Sequence, residues 1–354
     1  MSTDQLPGFG LAGSAPSRPA ARRLLDRLLA HPSAGALLGL VAVTVLFGLQ
    51  SPGLLGSAGL ATVLDVAAPV GIGGVAVALL LIAGQFDLSI GVVAVASSLG
   101  TALLVAHAGL GTWPALALSL LAALAVGAVN GLLVVLTGLP SFLVTLATFL
   151  VLQGGALGLA SSVTHSERIT GLPGAPGWSS ASALFGSSTQ LGDGRFHVSL
   201  LWWVGVTAFS TWLLWRTPFG NGVFGSGGTR RAARELGVPV ARTTVLLYLG
   251  TAAAGWLIGT LSLLRTGGLH VAPQLDEEVT FVIVAVIGGC LLSGGYGSTV
   301  GAGLGALLYA VAEVGIPRAG WDARWSQVFL GLLLLVALLL NGVVRRRLRA
   351  VPRW

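Results

Sequence analysis

The sequence contains no lysine, so all nineteen of its basic residues are arginine. That absence excludes a phosphate-binding P-loop, which needs its lysine, and a Schiff-base enzyme, which needs a lysine amine. Cysteine is nearly absent as well. Cys290 stands alone, which leaves no intrachain disulfide and no thiolate metal cluster. The five histidines (His31, His107, His165, His197, His270) are scattered, without a His-x-x-x-His pair for zinc. Charge is scarce, at 9% of the 354 residues, where a soluble domain carries roughly 25%. Apolar residues make up 54%, and mean hydropathy is +0.89. Too little polar side chain exists to cover a soluble globule of this size. The chain is therefore read as an all-α polytopic membrane protein, whose apolar surface is accepted by lipid. No metal or cofactor is expected on it. The net charge of +7 does not indicate nucleic acid, because the arginines cluster beside apolar runs, as orientation in a membrane requires.

Hydropathy predicts about ten transmembrane helices, with eight to ten allowed if some are broken or re-entrant. The expected spans lie near 34–50, 60–83, 91–108, 114–136, 142–160, 199–215, 243–264, 279–292, 299–316 and 326–343. Those near 91–108 and 279–292 are short and contain glycine, which suits helices that line a cavity. The domain plan follows. Residues 1–33 form a tail with a basic amphipathic segment (Arg18, Arg22, Arg23, Arg27). Residues 34–343 form the membrane domain, with an external loop at 161–198 and a cytoplasmic segment at 216–242. Residues 344–354 form a basic tail. The pair Arg22-Arg23 reads as a positive flank and not as an export signal, since the apolar run behind it is long and lacks a small-residue cleavage site.

The arginines orient this plan. With the N-terminus inside, fourteen fall on cytoplasmic pieces and five (Arg168, Arg195, Arg265, Arg318, Arg324) on external ones. That bias fits the positive-inside rule with both termini cytoplasmic. Trp113, Trp202, Trp203, Trp321 and Trp325 are expected at outer ends, and Trp212 and Trp215 at an inner end, as an aromatic belt. Glycine pairs spaced by four, Gly127/Gly131, Gly255/Gly259 and Gly297/Gly301/Gly305, are read as internal helix-packing sites.

Four segments carry the functional reading. Residues 216–242 hold a charged helix expected from Arg230 to about Leu236, capped by Thr229 and ended by Gly237. Between two spans, such a helix is a docking element. GQFDLSIG at 84–91 puts Asp87 between apolar spans, where it suits a helix N-cap or a solute contact. The segment 139–155 starts a helix after Pro140 and adds Thr145, Thr148 and Gln153 to an embedded length. Back-bonding of the threonines to their own helix is one reading, and lining a pathway with Asn130 is the other. Finally, 286–308 holds two apolar helices joined by a tight turn at 293–298, freed by Gly294, Gly295 and Gly297 after Ser293. The acidic run Asp276-Glu277-Glu278 precedes it outside, either solvated or meeting a soluble partner.

Together these segments resemble the ribose/xylose-type (monosaccharide) permease family of bacterial ATP-binding cassette importers, within the branched-chain amino acid/sugar permease superfamily. The family's Gly-Gly-Ile-Asp-Leu-Ser-Val-Gly type loop is matched at Gly84, Asp87, Leu88, Ser89 and Gly91. Its Asn-Gly and Pro-Phe-x-x-Thr-Leu-x-Thr segment looks like Asn130-Gly131 and Ser141-Phe142 through Thr145-Leu146-Ala147-Thr148. Its Gly-Gly-Asn-Glu-x-Ala-Ala-Arg-x-x-Gly stretch looks like Gly227-Gly228-Thr229 through Ala232-Ala233-Arg234-Glu235-Leu236-Gly237. Its glycine-rich hairpin looks like Gly288-Gly289 through Ser293-Gly294-Gly295-Tyr296-Gly297-Ser298. The matches run in order over about 60–343. Gln85 and Phe86 depart from the usual Gly and Ile, Gln153 stands where Arg is common, and Arg230 and Arg231 replace polar or acidic residues.

The resemblance implies a noncatalytic permease subunit in a bacterial plasma membrane, working as two copies. A partner ATPase would bind the ATP, since this chain binds no cofactor. An extracytoplasmic solute-binding protein would deliver a small polar solute, a monosaccharide such as ribose or xylose. It also implies that Thr229, Arg230, Arg231, Ala232, Ala233, Arg234, Glu235 and Gly237 couple to the ATPase, and that Asn130, Thr145, Thr148 and Gln153 are pathway candidates. Asp87, Ser89, Gly294, Gly295 and Gly297 then belong to structural motifs. Branched-chain amino acids, nucleosides or a sugar-like signal are alternative solutes. A self-sufficient secondary transporter is disfavoured, because only Asp65 and Glu313 lie clearly within spans. An intramembrane enzyme is disfavoured by the lack of a nucleophile–base or metal constellation.

Overall fold

The computed structural model describes residues 33–164, 168–270 and 277–350. The basic amphipathic segment, Asp276 and the last four residues lie outside the described residues. The chain runs α1 (Ala34–Gln50), α2 (Ser57–Ile82), α3 (Ile90–Ala106), α4 (Thr112–Thr137), α5 (Ser141–Thr164), β1 (Arg168–Ile169), α6 (Trp178–Phe185), β2 (Ser188–Leu191) and β3 (Gly194–His197). It continues with α7 (Ser199–Arg216), α8 (Pro218–Gly227), α9 (Arg230–Glu235), α10 (Val240–Thr266), β4 (Leu269–His270), α11 (Glu277–Ile287), α12 (Thr299–Arg318) and α13 (Trp325–Ala350). Every one of the ten expected spans falls on a helix. Of these, α2, α4, α5, α10 and α12 are long and apolar enough to cross a membrane; α1, α3 and Trp325–Asn341 are shorter apolar helices.

Helices α2, α10 and α12 form the middle of the bundle. In α2, every residue from Gly71 to Ile82 is buried. It lies against α12, α7, α11 and α10, while α10 is also flanked by α3 and α4. By contrast α5 leaves Phe142, Leu143, Leu150 and Val151 outward, and α13 leaves Leu332, Leu335, Val336 and Leu339 outward. Apolar side chains facing out over whole helices are what a lipid solvent permits. The spaced glycines sit at internal contacts. A Cβ on Gly127 would meet the Tyr248 carbonyl oxygen at 2.6 Å, and one on Gly259 the Ala94 carbonyl oxygen at 2.2 Å. Backbones therefore approach closely between α4 and α10 and between α10 and α3.

Four expectations need correction. The helix expected at 279–292 ends at Ile287, because Gly289 turns into the left-handed region (φ +94°). The connection to α12 is thus the whole of 288–298, not the tight turn 293–298. The expected loop 161–198 is ordered where described: α5 continues to Thr164, β1 pairs antiparallel with β4, and β2 and β3 form a hairpin. Between them, α6 buries Trp178, Ala181 and Phe185, and Phe185 stacks on Trp202 at 5.2 Å. Trp203 is not a belt residue. It is 6% exposed and wedges onto Gly71 of α2, where a Cβ would overlap its indole. The Thr229 hydroxyl makes no cap bond, although the residue does occupy the N-cap of α9.

Candidate functional site

Three connections meet at one end of the bundle: 83–89 after α2, 228–229 after α8, and 288–298 before α12. Their backbones touch through glycine. The Gly295 amide donates to the Ile82 carbonyl at 2.8 Å. A Cβ on Gly227 would overlap the Ile82 carbonyl oxygen and lie 2.6 Å from the Gly295 nitrogen. Gly294 holds a left-handed backbone (φ +78°), and its Cβ would stand 2.7 Å from the Gly227 oxygen. Any side chain at Gly227 or Gly294 would push these connections apart.

The loop 83–89 is buried, so its backbone polar groups need partners within the protein. The Gln85 amide donates to the Leu80 carbonyl at 2.9 Å. The Phe86 amide donates to Ser141 Oγ at 3.0 Å, and the Phe86 carbonyl accepts from Tyr248 Oη at 2.8 Å. The Leu88 amide donates to Thr145 Oγ1 at 3.1 Å, and the Ser89 amide to Asp87 Oδ1 at 2.7 Å. Asp87, 2% exposed, also accepts from Ser89 Oγ at 2.6 Å and from Thr251 Oγ1 at 2.6 Å. The chain of bonds goes on: Asn130 Nδ2 donates to Ser89 Oγ at 3.0 Å, and Thr148 Oγ1 donates to Asn130 Oδ1 at 2.6 Å. Side chains from α4, α5 and α10 thus fix one seven-residue turn. Burial raises the Asp87 carboxyl above its ordinary range, with the Ser89 and Thr251 bonds opposing it.

This geometry revises the roles read from sequence. Asp87 does not cap α3; Ser89 occupies that position, and Asp87 makes a local turn two residues earlier. Asn130, Thr145 and Thr148 do come together. Asn130 is 1% exposed and Thr145 is fully buried, so both hold the loop and face no open passage here. Thr145 and Thr148 also back-bond to the Ser141 and Val144 carbonyls, at 2.9 and 3.1 Å. Gln153, further along α5, is not part of this network. Ser141, Tyr248 and Thr251 are the partners that sequence reading missed. Nothing in a lone Ser, Tyr or Thr among apolar residues marks it as one end of a bond spanning 55 to 164 positions.

Beside this loop, α8 and α9 project from the bundle between α7 and α10. Thr217 Oγ1 accepts from the Gly220 amide, and Pro218 occupies the first turn of α8, as suits a helix start. Gly237 (φ +81°) ends the turn after α9. Arg231 pairs with Glu235 along the helix at 3.2 Å, an exposed contact of about 0.3–0.5 kcal/mol. Ala232 and Arg234 face outward, and Leu236 is 85% exposed. Ala233 is different: it is 6% exposed, packed toward Gly225 of α8, and so unavailable for docking. Arg230 is exposed on α9 and reaches Gln85: with the Gln85 amide turned so that its oxygen faces the guanidinium, Arg230 donates to that oxygen and the Gln85 side-chain nitrogen donates to Ser141 Oγ at 3.2 Å. The departures at Gln85 and Arg230 are therefore partners of each other. No group able to hold a metal occurs among the described residues.

Residues 59–338 match the family described as branched-chain amino acid transport system / permease component. Relatives include the fructose import permease protein of Rhizobium meliloti, 31% identical over 92% of this chain and 89% of that one. The ribose import permease protein of Bacillus subtilis is 30% identical over 87% of this chain and 92% of its own. An autoinducer 2 import system permease protein of Enterobacter sp. is 30% identical over 77% and 75%. No solved structure matches.

Proposed function

Because the chain belongs to the branched-chain amino acid transport system / permease component family, we propose that it is the transmembrane subunit of an ATP-driven importer for a monosaccharide. The observation that carries this reading is the exposed helix α9, held on the bundle by Ala233 and tied by Arg230 to the buried loop 83–89. A transporter that made its own energy would not need such a lever. Two copies make the functional unit, with both termini cytoplasmic. A separate ATPase binds ATP and docks on Arg231, Ala232, Arg234, Glu235 and Leu236. A separate solute-binding protein delivers the sugar to the opposite end, which carries α6 and the β2–β3 hairpin. Movement of α9 would pull through Arg230 on Gln85, and so on Ser141 and Thr145 at the start of α5. The solute class is supported by the fructose and ribose permeases among the relatives.

The test is reconstitution. The chain is purified from its native membranes with its associated ATPase and put into proteoliposomes with the binding protein and labelled fructose, ribose, xylose or galactose. Saturable, ATP-dependent uptake of one of these is expected. Uptake that needs no ATP, or an ATPase that fails to co-purify, would overturn the reading.

A further inference from the structure

At the end of the bundle opposite α9, a cavity of about 550 Å³ opens inside one copy of the chain. It lies among α2, α3, α10, α11 and α12, with Phe185 of α6 and His197 of β3 at its side. Its size falls in the about 300–1,000 Å³ range of small-molecule sites. The floor is made by Pro69, Val70, Ala94 and Val95. Below it α2 is sealed against α11, since Phe281 and Val284 fill the space that side chains at Gly73 and Gly74 would take. The cavity is thus a blind cup.

Its walls are unlike the rest of the bundle. Asp65 and Arg265 pair across it at 2.5 Å, joining α2 to α10. Glu313 of α12 and Glu277 of α11 add two carboxylates, and Ser98 and Ser262 add hydroxyls. His197 Nδ1 is buried in this region with no hydrogen-bond partner among the described residues. Asp65 and Glu313 lie within expected spans, where an ionisable group is costly and marks a functional site by default. Neither Asp65, Arg265 nor Glu313 belongs to the loop network or to α9.

We propose that this cup binds one monosaccharide, which makes it a solute site built from the residues of a single copy. The inference rests on the sugar-importer reading above. Carboxylates accept from vicinal hydroxyls, a guanidinium donates to ring and hydroxyl oxygens, and Phe281 and Phe185 give the lining apolar surface for the C–H groups of a pyranose or furanose. A cation is the poorer fit, because Asp65 is already neutralised by Arg265, Glu277 is exposed at the rim, and no metal-holding group occurs among the described residues.

The purified chain in lipid nanodiscs is titrated with D-fructose, D-ribose and D-galactose by saturation-transfer NMR, without a binding protein. One sugar is expected to give a saturable signal. Ser262→Trp, which fills the cup, should abolish it. Glu313→Gln should weaken it about tenfold, the loss of one charged hydrogen bond. Trp212→Ala, on the lipid-facing side of α7, should leave it unchanged. Thermal midpoints of the variants are read in parallel, so that loss of fold is separated from loss of binding. The same variants are carried into the ATP-driven uptake assay. If uptake is normal and no sugar gives a signal, or if Ser262→Trp binds and transports like the wild type, the inference falls and the importer reading stands. A signal from choline in place of all three sugars also overturns it. If the complex imports no sugar while the cup binds one, the importer reading falls and the site remains.

Discussion

Asp87 accepts three hydrogen bonds in the loop 83–89, and removing it has a calculable cost. In Asp87→Ala the Ser89 amide and the Ser89 hydroxyl lose their acceptor at a site 2% exposed to solvent. Thr251 keeps an alternative in the Tyr248 carbonyl, 3.0 Å away. Two stranded buried donors at about 1–3 kcal/mol each give roughly 2–6 kcal/mol of destabilisation. Asp87→Asn behaves differently. Its oxygen still accepts from Ser89, and its amide donates to Thr251 Oγ1, which then donates to Tyr248. Only the charge reinforcement goes, about 1 kcal/mol. The assay is heat treatment of detergent-solubilised protein followed by size-exclusion, with the midpoint read for each variant. The alanine midpoint should drop far below both others, and the asparagine midpoint should stay near the wild type. Equal midpoints for Ala and Asn would refute the hydrogen-bond argument. A pH series adds a second check. Burial raises the Asp87 carboxyl, so the folded state binds its proton more tightly than the unfolded one. Stability from this group is therefore fullest near and below the ordinary carboxylate range, about pH 3.9. It declines as pH rises toward the folded value. The asparagine variant lacks that slope, so wild type should gain on it as pH falls from 8 to 4.

Ala232→Glu should leave the fold intact and lower both transport and solute-stimulated ATP hydrolysis, while Ala233→Glu should also lower the thermal midpoint, since its side chain points at Gly225; unchanged transport in Ala232→Glu would make α9 a mere connector. Gly227→Ala should abolish recoverable folded protein, because its Cβ meets only backbone, whereas Gly225→Ala should be near neutral, its nearest neighbour being the Ala233 methyl at 3.6 Å; membrane levels and elution profiles distinguish them. Thr148→Val leaves Asn130 Oδ1 without its 2.6 Å donor, so it should cost about 1–3 kcal/mol of stability. Binding of sugar to the nanodisc-held chain should be unaffected, and a selective loss of sugar binding at unchanged midpoint would return Thr148 to a pathway role.

The membrane class and the ten helical segments were legible from hydropathy, because burial in lipid is a property of each segment by itself. The end of α9 at Gly237 and the packing roles of Gly127 and Gly259 were legible for a similar reason: glycine's freedom and small size act locally. Sequence failed where one residue's role depends on what another element brings to it. Asp87 looked like a helix cap because its neighbours in the chain suggested one, yet its distant partner is Thr251. Trp203 looked like a belt residue from its position at a helix end, yet Gly71 of α2 opens a slot for it. Ala232 and Ala233 are identical in sequence terms, and only the position of α8 makes one buried and the other exposed.

By itself, then, the sequence determined the solvent the protein lives in, the places of its helices and the order of its family motifs, all of which depend on residues close along the chain. The tertiary structure alone decided which polar groups pair. Gln85 finds Arg230 across 145 positions, Leu88 finds Thr145 across 57, and Asp65 finds Arg265 across 200. In a medium without water each of these groups needs a partner, but hydropathy states only the need. The packing of α2 against α10 and of the loop 83–89 against α5 supplies the answer.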